Sequence, residues 1–258
     1  MSTPGRPKGE YRSAQHEGTP VNLALFDLDH TLIPFDSNTA WMNFLARAGA
    51  VDAEAAAARN RAFARDYAAG TFDAHAYHRF TAGLLAPHER GVLDRWREAF
   101  GVEIAAAAAA DLVMSRELVD RHLAAGDLCC VVTTTNRFLA QVFTDIFGIE
   151  HLVATEAATL DDRPDAMFTG EVRGEPCFGA CKVEHVERWL QALSRSRGDF
   201  DRTYFYSDSW NDLPLLRWAD EAIAVNPDPR LRAEAQAQGW RILDFRAGKK
   251  KSRRAPAG

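Results

Sequence analysis

Two carboxylates end an apolar run in the segment Leu25-Phe26-Asp27-Leu28-Asp29-His30-Thr31-Leu32. The run begins at Val21 and is typical of a buried strand, so Asp27 and Asp29 fall at its carboxyl end, where ligands bind in open α/β sheets. Residues two apart on a strand point the same way, and two carboxylates this close repel each other unless a cation or a shared proton intervenes. The segment therefore predicts a site for a hard cation such as Mg²⁺, whose preferred ligands are oxygens. A strand that ends in an ordinary acidic turn is the alternative.

The composition is that of a soluble globular protein. The chain has 258 residues, 47% of them hydrophobic and 26% charged, enough for one large domain or a domain with an insertion. Its net charge of -5 gives no overall attraction to nucleic acid or to an anionic membrane. No apolar segment is long enough to span a bilayer, and the first twenty residues lack the apolar centre of a signal peptide. We therefore expect a cytoplasmic protein that binds neither nucleic acid nor membrane.

Apolar runs that predict strands alternate with helical patterns along the chain. Strands alternating with helices are typical of an α/β fold with a doubly wound parallel (Rossmann-like) sheet, which is the fold we predict. A short run near residue 170 is expected to belong to a small hairpin instead. The predicted strands of the main sheet are Val21–Asp29, Leu128–Val132, His151–Ala154, Thr203–Tyr206, Ile223–Val225 and Ile242–Phe245.

The segment from Val51 to Ile104 has apolar residues at spacings of three and four and predicts several helices but no strand. It is too long for an ordinary crossover, so we expect a helical insertion over the end of the first strand. Ser37 or Asn38 is expected to cap a helix that begins near Thr39. One long helix is predicted from Ala105 to Ala125, ended by Gly126.

Four polar clusters fall at predicted strand ends or at a helix start. In a parallel sheet such positions share one edge, so the clusters can meet in space. Together they supply carboxylates, hydroxyl and amide donors and one cation, which suits phosphoryl transfer, where positioning and charge stabilisation do most of the catalysis. The alternatives are a surface lysine, hydroxyls that satisfy a turn, and an acidic helix cap. The clusters are Asp27/Asp29/Thr31, Thr133–Asn136, Lys182 and Asp208/Asn211/Asp212.

These four clusters, in this order, resemble the motifs of the haloacid dehalogenase superfamily, most of all its phosphoserine-phosphatase-like subgroup (subfamily IB). Ser207 stands where many relatives have glycine. The resemblance implies a catalytic core formed by residues 21–36 and 112–245, with a helical C1-type cap at 37–111. We expect residues 1–20 to be a disordered tail and residues 246–258 to be a basic, solvated and disordered one.

The resemblance also implies a role for each motif residue. Asp27 would be the nucleophile that forms an aspartyl-phosphate, and Asp29 the general acid and base. Thr133 would donate to a phosphoryl oxygen, and Lys182 would offset negative charge. Mg²⁺ would bind Asp27, the backbone carbonyl of Asp29, and Asp208. The residues expected to support these from the next layer, or to contact substrate, are Thr31, Asn136, Asn211 and Asp212.

The substrate is expected to be a small phosphomonoester, and two amino-alcohol phosphates remain open. Asp36 could bind a substrate amine or cap the next helix. Phosphoserine would also need a cation for its carboxylate, for which Arg79 and Arg137 are candidates. Histidinol phosphate has no carboxylate, but it has a ring on which aromatic residues could stack. The candidates for stacking, each of which could instead be core, are Phe35, Trp41, Tyr77 and Phe80.

Two other functions use the same motifs. A phosphotransferase would pass the phosphoryl group from Asp27 to an alcohol instead of water. A non-catalytic phosphate-binding module would be expected to lack one of Asp27, Asp29 and Asp208, and all three are present. No oligomeric state is predicted.

Overall fold

The computed structural model describes residues 21–245, so both predicted tails, including the basic run from Lys249 to Arg254, lie outside the described residues. Six parallel strands form the main sheet in the order β3-β2-β1-β6-β7-β8, and two antiparallel strands form a separate β4–β5 hairpin. The predicted α/β fold with a doubly wound parallel sheet is confirmed. The strands are β1 Leu23–Phe26, β2 Leu128–Asn136, β3 His151–Thr155, β4 Ala157–Thr159, β5 Phe168–Val172, β6 Thr203–Ser207, β7 Glu221–Val225 and β8 Arg241–Leu243.

The first strand lies at the centre of the main sheet. Leu23 pairs with Leu128 of β2 on one side and with Thr203 of β6 on the other. All four residues of β1 are fully buried, as expected for a strand covered on both faces. The chain builds the sheet outward from β1 in one direction and then in the other, so the crevice for ligands opens at the carboxyl end of this strand.

Nine helices accompany the strands within residues 21–245, and five of them separate β1 from β2, where helices and no strand were predicted. None of them is both long and apolar enough to span a bilayer. The helices are α1 Ser37–Arg47, α2 Ala53–Ala69, α3 Ala74–Gly83, α4 Arg90–Ala108, α5 Val113–Ala124, α6 Arg137–Phe147, α7 Cys181–Ala192, α8 Leu213–Trp218 and α9 Pro229–Gln238.

Two predictions about helix ends are wrong. Helix α1 begins at Ser37, because Asp36 rather than Ser37 or Asn38 is its cap and accepts a hydrogen bond from the backbone N–H of Thr39. The long helix predicted from Ala105 to Ala125 is two helices. The carbonyl of Ala108 accepts hydrogen bonds from the backbone N–H groups of two following residues, which makes a turn and places Leu112 in the core.

The core lies on both faces of the main sheet. One cluster includes Trp41 of α1 and Phe100 of α4, packed with Phe143 of α6. The other lies beneath α7 to α9 and includes Val186 and Leu231. Helices α1 and α4 therefore share the core of the sheet.

Helix α3 packs against β5 of the hairpin, where Gly170 lies against Gly83 and Ala86. A side chain at residue 170 would be in contact with both. Gly170 also has a φ of +87°, a conformation that favours glycine. This position therefore allows the hairpin and α3 to approach each other closely.

Candidate active site

A cavity of about 370 Å³ opens at the carboxyl ends of β1, β2 and β6, beneath α2 and α3. Three predicted polar residues that line it are Thr133, Lys182 and Asn211. Five carboxylates line it as well, and they come from every predicted acidic cluster: Asp27, Asp29, Asp36, Asp208 and Asp212.

Asp27, Lys182 and Asp212 form the cavity floor. The ammonium group of Lys182 lies 2.9 Å from Oδ1 of Asp27 and 2.8 Å from Oδ2 of Asp212. Lys182 is only 1% exposed, so the alternative of a surface lysine is wrong. Burial alone would lower the pKa of Lys182, but Asp212 and Asp27 outweigh burial and raise it. The floor therefore keeps a permanent positive charge between two carboxylates.

Hydroxyl groups also bind the two carboxylates of the floor. Thr31 donates to Oδ2 of Asp27 at 3.1 Å, which places this predicted supporting residue beside the nucleophile candidate. Ser207, at the position where many relatives have glycine, donates to Oδ2 of Asp212 at 2.7 Å. Each carboxylate of the floor is thus held by one ammonium contact and one hydroxyl contact.

Asp208 faces the same cavity from the loop after β6. Burial, followed by the negative charges of Asp27 and Asp212, raises the pKa of Asp208 to about 9. A carboxyl group with this pKa ionises at neutral pH only when a positive charge joins it. The local charge balance therefore favours a bound cation.

Asp228, which the sequence analysis did not single out, supports the Asp208 loop. Its side chain accepts a hydrogen bond from the backbone N–H of Trp210 at 2.6 Å, and its own N–H donates to the carbonyl of Asp208 at 2.8 Å. It also caps α9, just before Pro229. An Asp-Pro pair at a helix start is a recognisable capping signal, but it does not indicate a contact with another loop.

The carboxylate of Asp29 is held by Ser37, which was predicted only as a helix cap, and by Thr135 of the predicted hydroxyl cluster. Ser37 donates its backbone N–H to Oδ1 at 2.8 Å and its hydroxyl to Oδ2 at 3.2 Å. The hydroxyl of Thr135 donates to Oδ2 at 3.1 Å. Burial, followed by Asp36 and Asp27, raises the pKa of Asp29 well above its usual value. A raised pKa suits a carboxyl group that must donate a proton at neutral pH.

Four predicted site residues do not line the cavity, although one of them, Thr31, contacts Asp27 as described above. Asn136 caps α6 by accepting from the N–H of Leu139 at 3.0 Å. Arg79 is exposed on α3. Arg137 pairs with Glu156 at 2.6 Å and faces a separate cavity. The two arginine candidates for a substrate carboxylate therefore do not reach the candidate active site in this structure.

Asp36 has the predicted role of helix cap, and it also lines the cavity. One carboxylate oxygen caps α1, accepting from Thr39 at 2.6 Å, and the residue also lines the cavity. It therefore offers negative charge to a ligand while it holds the helix.

Aromatic side chains form one side of the cavity. Of the four predicted stacking residues only Tyr77 lines it, because Phe35 and Trp41 pack into the sheet core and Phe80 packs on Phe63. Helical spacing showed that the rings recur along α2 and α3 but did not show which face meets the cavity. We call the five lining rings the aromatic wall: Phe63, Tyr67, Phe72, Tyr77 and Phe178.

The aromatic wall contacts the core loops at two points. The hydroxyl of Tyr67 lies 2.6 Å from that of Ser209, next to Asp208. The ring centroids of Phe72 and Phe178 are 5.3 Å apart. Helices α2 and α3 are thereby joined to the loops that carry the acidic residues and Lys182.

The donor set of the cavity fits Mg²⁺. Five carboxylates and one lysine line it, and no other lysine or arginine among residues 21–245 does. Within the described residues no group of three or more histidine, cysteine or acidic side chains is arranged to hold a metal ion by itself. The ligand set expected from the resemblance uses only two side chains and a carbonyl, and Mg²⁺ usually keeps several waters.

Comparisons with known proteins agree with this geometry. The profile of haloacid dehalogenase-like hydrolases matches residues 24–217. A histidinol-phosphatase of Neisseria meningitidis is 38% identical over 225 residues, which are 87% of this chain and 99% of that protein. A crystal structure of a Bordetella pertussis protein of unknown function is 42% identical, with a TM-score of 0.79, and covers 88% of this chain and all of its own.

A substrate-bound phosphoserine phosphatase structure shares the fold at 16% identity, with a TM-score of 0.58 over 92% of this chain and 99% of its own. The predicted resemblance is confirmed, and the alternative of a non-catalytic module is wrong. With its four motifs gathered around one cavity, this chain belongs to the haloacid dehalogenase-like hydrolases and is a phosphatase.

Proposed function

We propose that this phosphatase hydrolyses a small amino-alcohol phosphate with the help of Mg²⁺ and that Asp27 forms an aspartyl-phosphate in each turnover. The observation that carries the proposal is the buried carboxylate of Asp27, which Lys182 and Thr31 hold from two sides at the bottom of a cavity. A carboxylate held in this way has a fixed orientation for in-line attack on phosphorus. The P–O bond to the alcohol breaks as the Asp27–P bond forms, and water later releases inorganic phosphate.

The other cavity residues have complementary roles in the proposed reaction. Asp29 gives a proton to the leaving alkoxide and later takes one from the attacking water. Thr133 donates a hydrogen bond to a phosphoryl oxygen, while the charge of Lys182 offsets that of Asp27 and the phosphate. Asp212 keeps Lys182 in place from the opposite side.

Asp27, Asp208 and the backbone carbonyl of Asp29 would hold Mg²⁺, with Asn211 and Asp212 beside them. When bound, the ion supplies positive charge that offsets the charge gathered on the phosphate and the carboxylates. The raised pKa of Asp208 supports this assignment, because burial and two neighbouring carboxylates leave that carboxyl group short of positive charge.

The cavity favours a leaving group that has an amine but no carboxylate. Lys182 is the only lysine or arginine among the described lining residues, and two carboxylates already bind it. A substrate carboxylate would therefore face unpaired negative charge, whereas an ammonium group could pair with Asp36. The aromatic wall can stack on a ring. Histidinol phosphate has these features, and the histidinol-phosphatase of N. meningitidis supports the choice over phosphoserine.

We further propose that residues 37–111 act as the cap over this cavity and that the protein works in the cytoplasm. Helices α2 and α3 and the loop between them supply four of the five rings of the aromatic wall, which would let this region select the leaving group. Helices α1 and α4 share the core of the sheet, so we expect movement to be concentrated in α2 and α3.

Phosphate release from a panel of substrates tests the proposal. The panel contains histidinol phosphate, phosphoserine, glycerol phosphate and a nucleoside monophosphate, each with Mg²⁺ and with EDTA. We expect histidinol phosphate to give the highest kcat/KM and EDTA to abolish turnover. A clear preference for phosphoserine would contradict the leaving-group argument. Alcohol added to the same assay tests the phosphotransferase alternative, which requires less inorganic phosphate than substrate consumed.

Replacing the nucleophile tests the intermediate. Asp27→Asn should lower kcat by at least roughly 10⁴-fold, because an amide cannot form the acyl phosphate. Rapid acid quenching with a ³²P-labelled substrate should label the native chain and leave the variant unlabelled. Asp120→Asn, an exposed change on α5, is the matched control and should keep full activity. Near-native turnover by Asp27→Asn would refute the assignment.

A further inference from the structure

Two buried hydroxyl side chains surround the carboxylate of Asp29, and the proposed reaction gives neither of them a part. Ser37 and Thr135 are 0% and 1% exposed. Ser37 contacts both carboxylate oxygens, and Thr135 contacts Oδ2 at 3.1 Å. The two hydroxyls lie 2.9 Å apart, so the three side chains form one connected network.

The network joins three segments that are distant in sequence. Asp29 lies in the loop after β1, Ser37 is the first residue of α1, and Thr135 is near the end of β2. His30 has a φ of +60°, which turns the chain directly after Asp29, and its carbonyl accepts from Asn226 at 3.2 Å. The backbone of Asp29 therefore lies beside a fixed turn, and its side chain is held from α1 and β2.

Other neighbours of Thr135 restrict the hydrogen bonds that its hydroxyl and its backbone N–H can make. The side-chain amide of Asn38 donates to Oγ1 of Thr135 at 3.3 Å, and this contact occupies an acceptor position of the hydroxyl. The single hydroxyl proton of Thr135 is then left for Asp29 or Ser37. The backbone N–H of Thr135 donates to Oγ1 of Thr133 at 3.1 Å, so one residue links the supports of Asp29 and Thr133.

We propose that Ser37 and Thr135 are positioning residues that hold the carboxyl group of Asp29 where it can deliver a proton to the leaving oxygen. This inference rests on the proposed role of Asp29 as general acid. A general acid must come within hydrogen-bond reach of its target, and displacement by about 1 Å can cost roughly 100-fold in rate. Three hydrogen bonds to one carboxyl group restrict both side-chain torsions, and the proposal assigns that restriction a catalytic purpose.

The alternative is that these contacts only stabilise the start of α1. The two roles differ in how they depend on the leaving group. An alkyl phosphate needs a proton on the departing oxygen, whereas p-nitrophenolate leaves well without one. Loss of a positioned acid therefore slows the alkyl ester selectively, while a loosened helix slows both esters.

The test compares kcat/KM for histidinol phosphate and for p-nitrophenyl phosphate at saturating Mg²⁺. The value of kcat/KM depends only on the steps up to departure of the leaving group, so the later hydrolysis of the intermediate does not affect it. For Thr135→Val and for Ser37→Ala we expect a fall of about 10- to 100-fold with histidinol phosphate and less than about 3-fold with p-nitrophenyl phosphate. Thr135→Ser, which restores a hydroxyl, should recover most of the loss.

Thr144→Val is the matched control, because Thr144 is a buried threonine of α6 whose hydroxyl donates to the carbonyl of Gln141 at 2.9 Å, away from the cavity. It should change neither value. Equal losses with both substrates in Thr135→Val and Ser37→Ala, or no loss with histidinol phosphate, would overturn the inference. If Thr135→Val does not fold, Ser37→Ala decides by the same criterion, and Thr135→Ser should stay near native with both substrates.

Asp29→Asn separates failure of this inference from failure of the proposed function. If Asp29→Asn keeps its activity on histidinol phosphate, Asp29 is not the acid and the proposed mechanism fails. If Asp29→Asn shows the selective loss while Thr135→Val and Ser37→Ala do not, the inference alone fails.

Discussion

The floor and the aromatic wall line the same cavity but are held in different ways. At the floor, Lys182 contacts two carboxylates at 2.8 and 2.9 Å, and each of these carboxylates also accepts a hydrogen bond from a hydroxyl. In the wall, rings contact rings: Phe72 packs on four other members, with centroids 5.3 to 6.4 Å apart. Charge-assisted hydrogen bonds are directional, whereas ring packing tolerates small shifts. In the proposed mechanism the reaction therefore takes place at the rigid end of the cavity, and we expect the end that holds the leaving group to be adaptable.

Removing the positive charge of Lys182 should have the largest effect on stability and activity. Lys182→Met leaves Asp27 and Asp212 buried without a positively charged partner, so we expect a loss of about 3 to 5 kcal/mol in the free energy of unfolding, together with loss of activity. Urea denaturation measures the first and phosphate release the second. Arg217→Met, which breaks the exposed pair with Glu234, should cost at most about 1 kcal/mol. Equal losses for the two variants would mean that burial adds nothing at the floor.

Asp208 should make the metal-free protein less stable as pH rises. Burial, then Asp27 and Asp212, raise its pKa to about 9 in the folded state, against 3.8 as the ordinary value. The folded state holds this proton longer than the unfolded chain, so stability falls between about pH 4 and pH 9. Asp208→Asn should remove that fall and add roughly 4 kcal/mol at pH 7.

Urea denaturation at pH 5, 7 and 9 without metal measures the effect of Asp208→Asn. The same variant should lose the rise in Tm that Mg²⁺ gives the native protein. A native-like dependence on pH in Asp208→Asn would show that another group is responsible.

Lowering the pH should destabilise the protein through His78, which lies behind the aromatic wall. This residue is buried on α3 next to Tyr77, and neither ring nitrogen has a hydrogen-bond partner in the described structure. Burial, then His75, lowers the pKa of His78 to about 4, below the ordinary 6.5. The unfolded chain takes up the proton first, so this contribution to stability is present above pH 6.5 and is lost as pH falls towards 4.

His78→Leu should therefore be less sensitive to acid than the native protein. We expect the native protein to lose about 2 kcal/mol more than the variant between pH 7 and pH 5. Urea denaturation at the two pH values measures this difference. Parallel losses would exclude His78 as the cause.

The smallest effect is expected where the wall meets the core loops. Tyr67→Phe removes the hydroxyl that lies against Ser209, which is worth about 1 kcal/mol at most for a neutral hydrogen bond. We expect KM for histidinol phosphate to rise by roughly 2- to 5-fold with kcat nearly unchanged. Tyr204→Phe on β6, outside the cavity, should have no effect. A large loss of kcat in Tyr67→Phe would mean that the wall also positions reacting groups.

The sequence was sufficient for the reaction end because strand ends of a parallel sheet meet at one edge. That rule placed Asp27, Thr133 and Asp208 together, and the family motif placed Lys182 with them. From its residue type alone, Lys182 would be expected on the surface. Its burial depends on two carboxylates more than twenty residues away in sequence.

The sequence was less informative where a helix start, a helix face or a strand length had to be known. Helix α1 begins at Ser37, earlier than predicted, because Asp36 is its cap. Strand β2 extends to Asn136, further than predicted, because it pairs with β3 as far as Thr155. Those two shifts put Ser37 and Thr135 beside Asp29. Arg137 was expected at the cavity, yet it pairs with Glu156 elsewhere.

The alanine-rich run between α4 and α5 was predicted as one helix because it has high helix propensity and little pattern. Alanines do not show where a helix must change direction. The break follows from Leu112, which has to reach the core.

The hydrogen bonds of Asp228 affect the point during translation at which the active site can form. The loop that presents Asp208 is held by a residue about twenty positions later, beyond every motif residue. A ribosome-bound chain that ends before Asp228 contains all four motifs but lacks the support of the acidic loop. We therefore expect catalytic competence only after Asp228 has been synthesised, and a chain that ends before it is not expected to act on cellular phosphate esters.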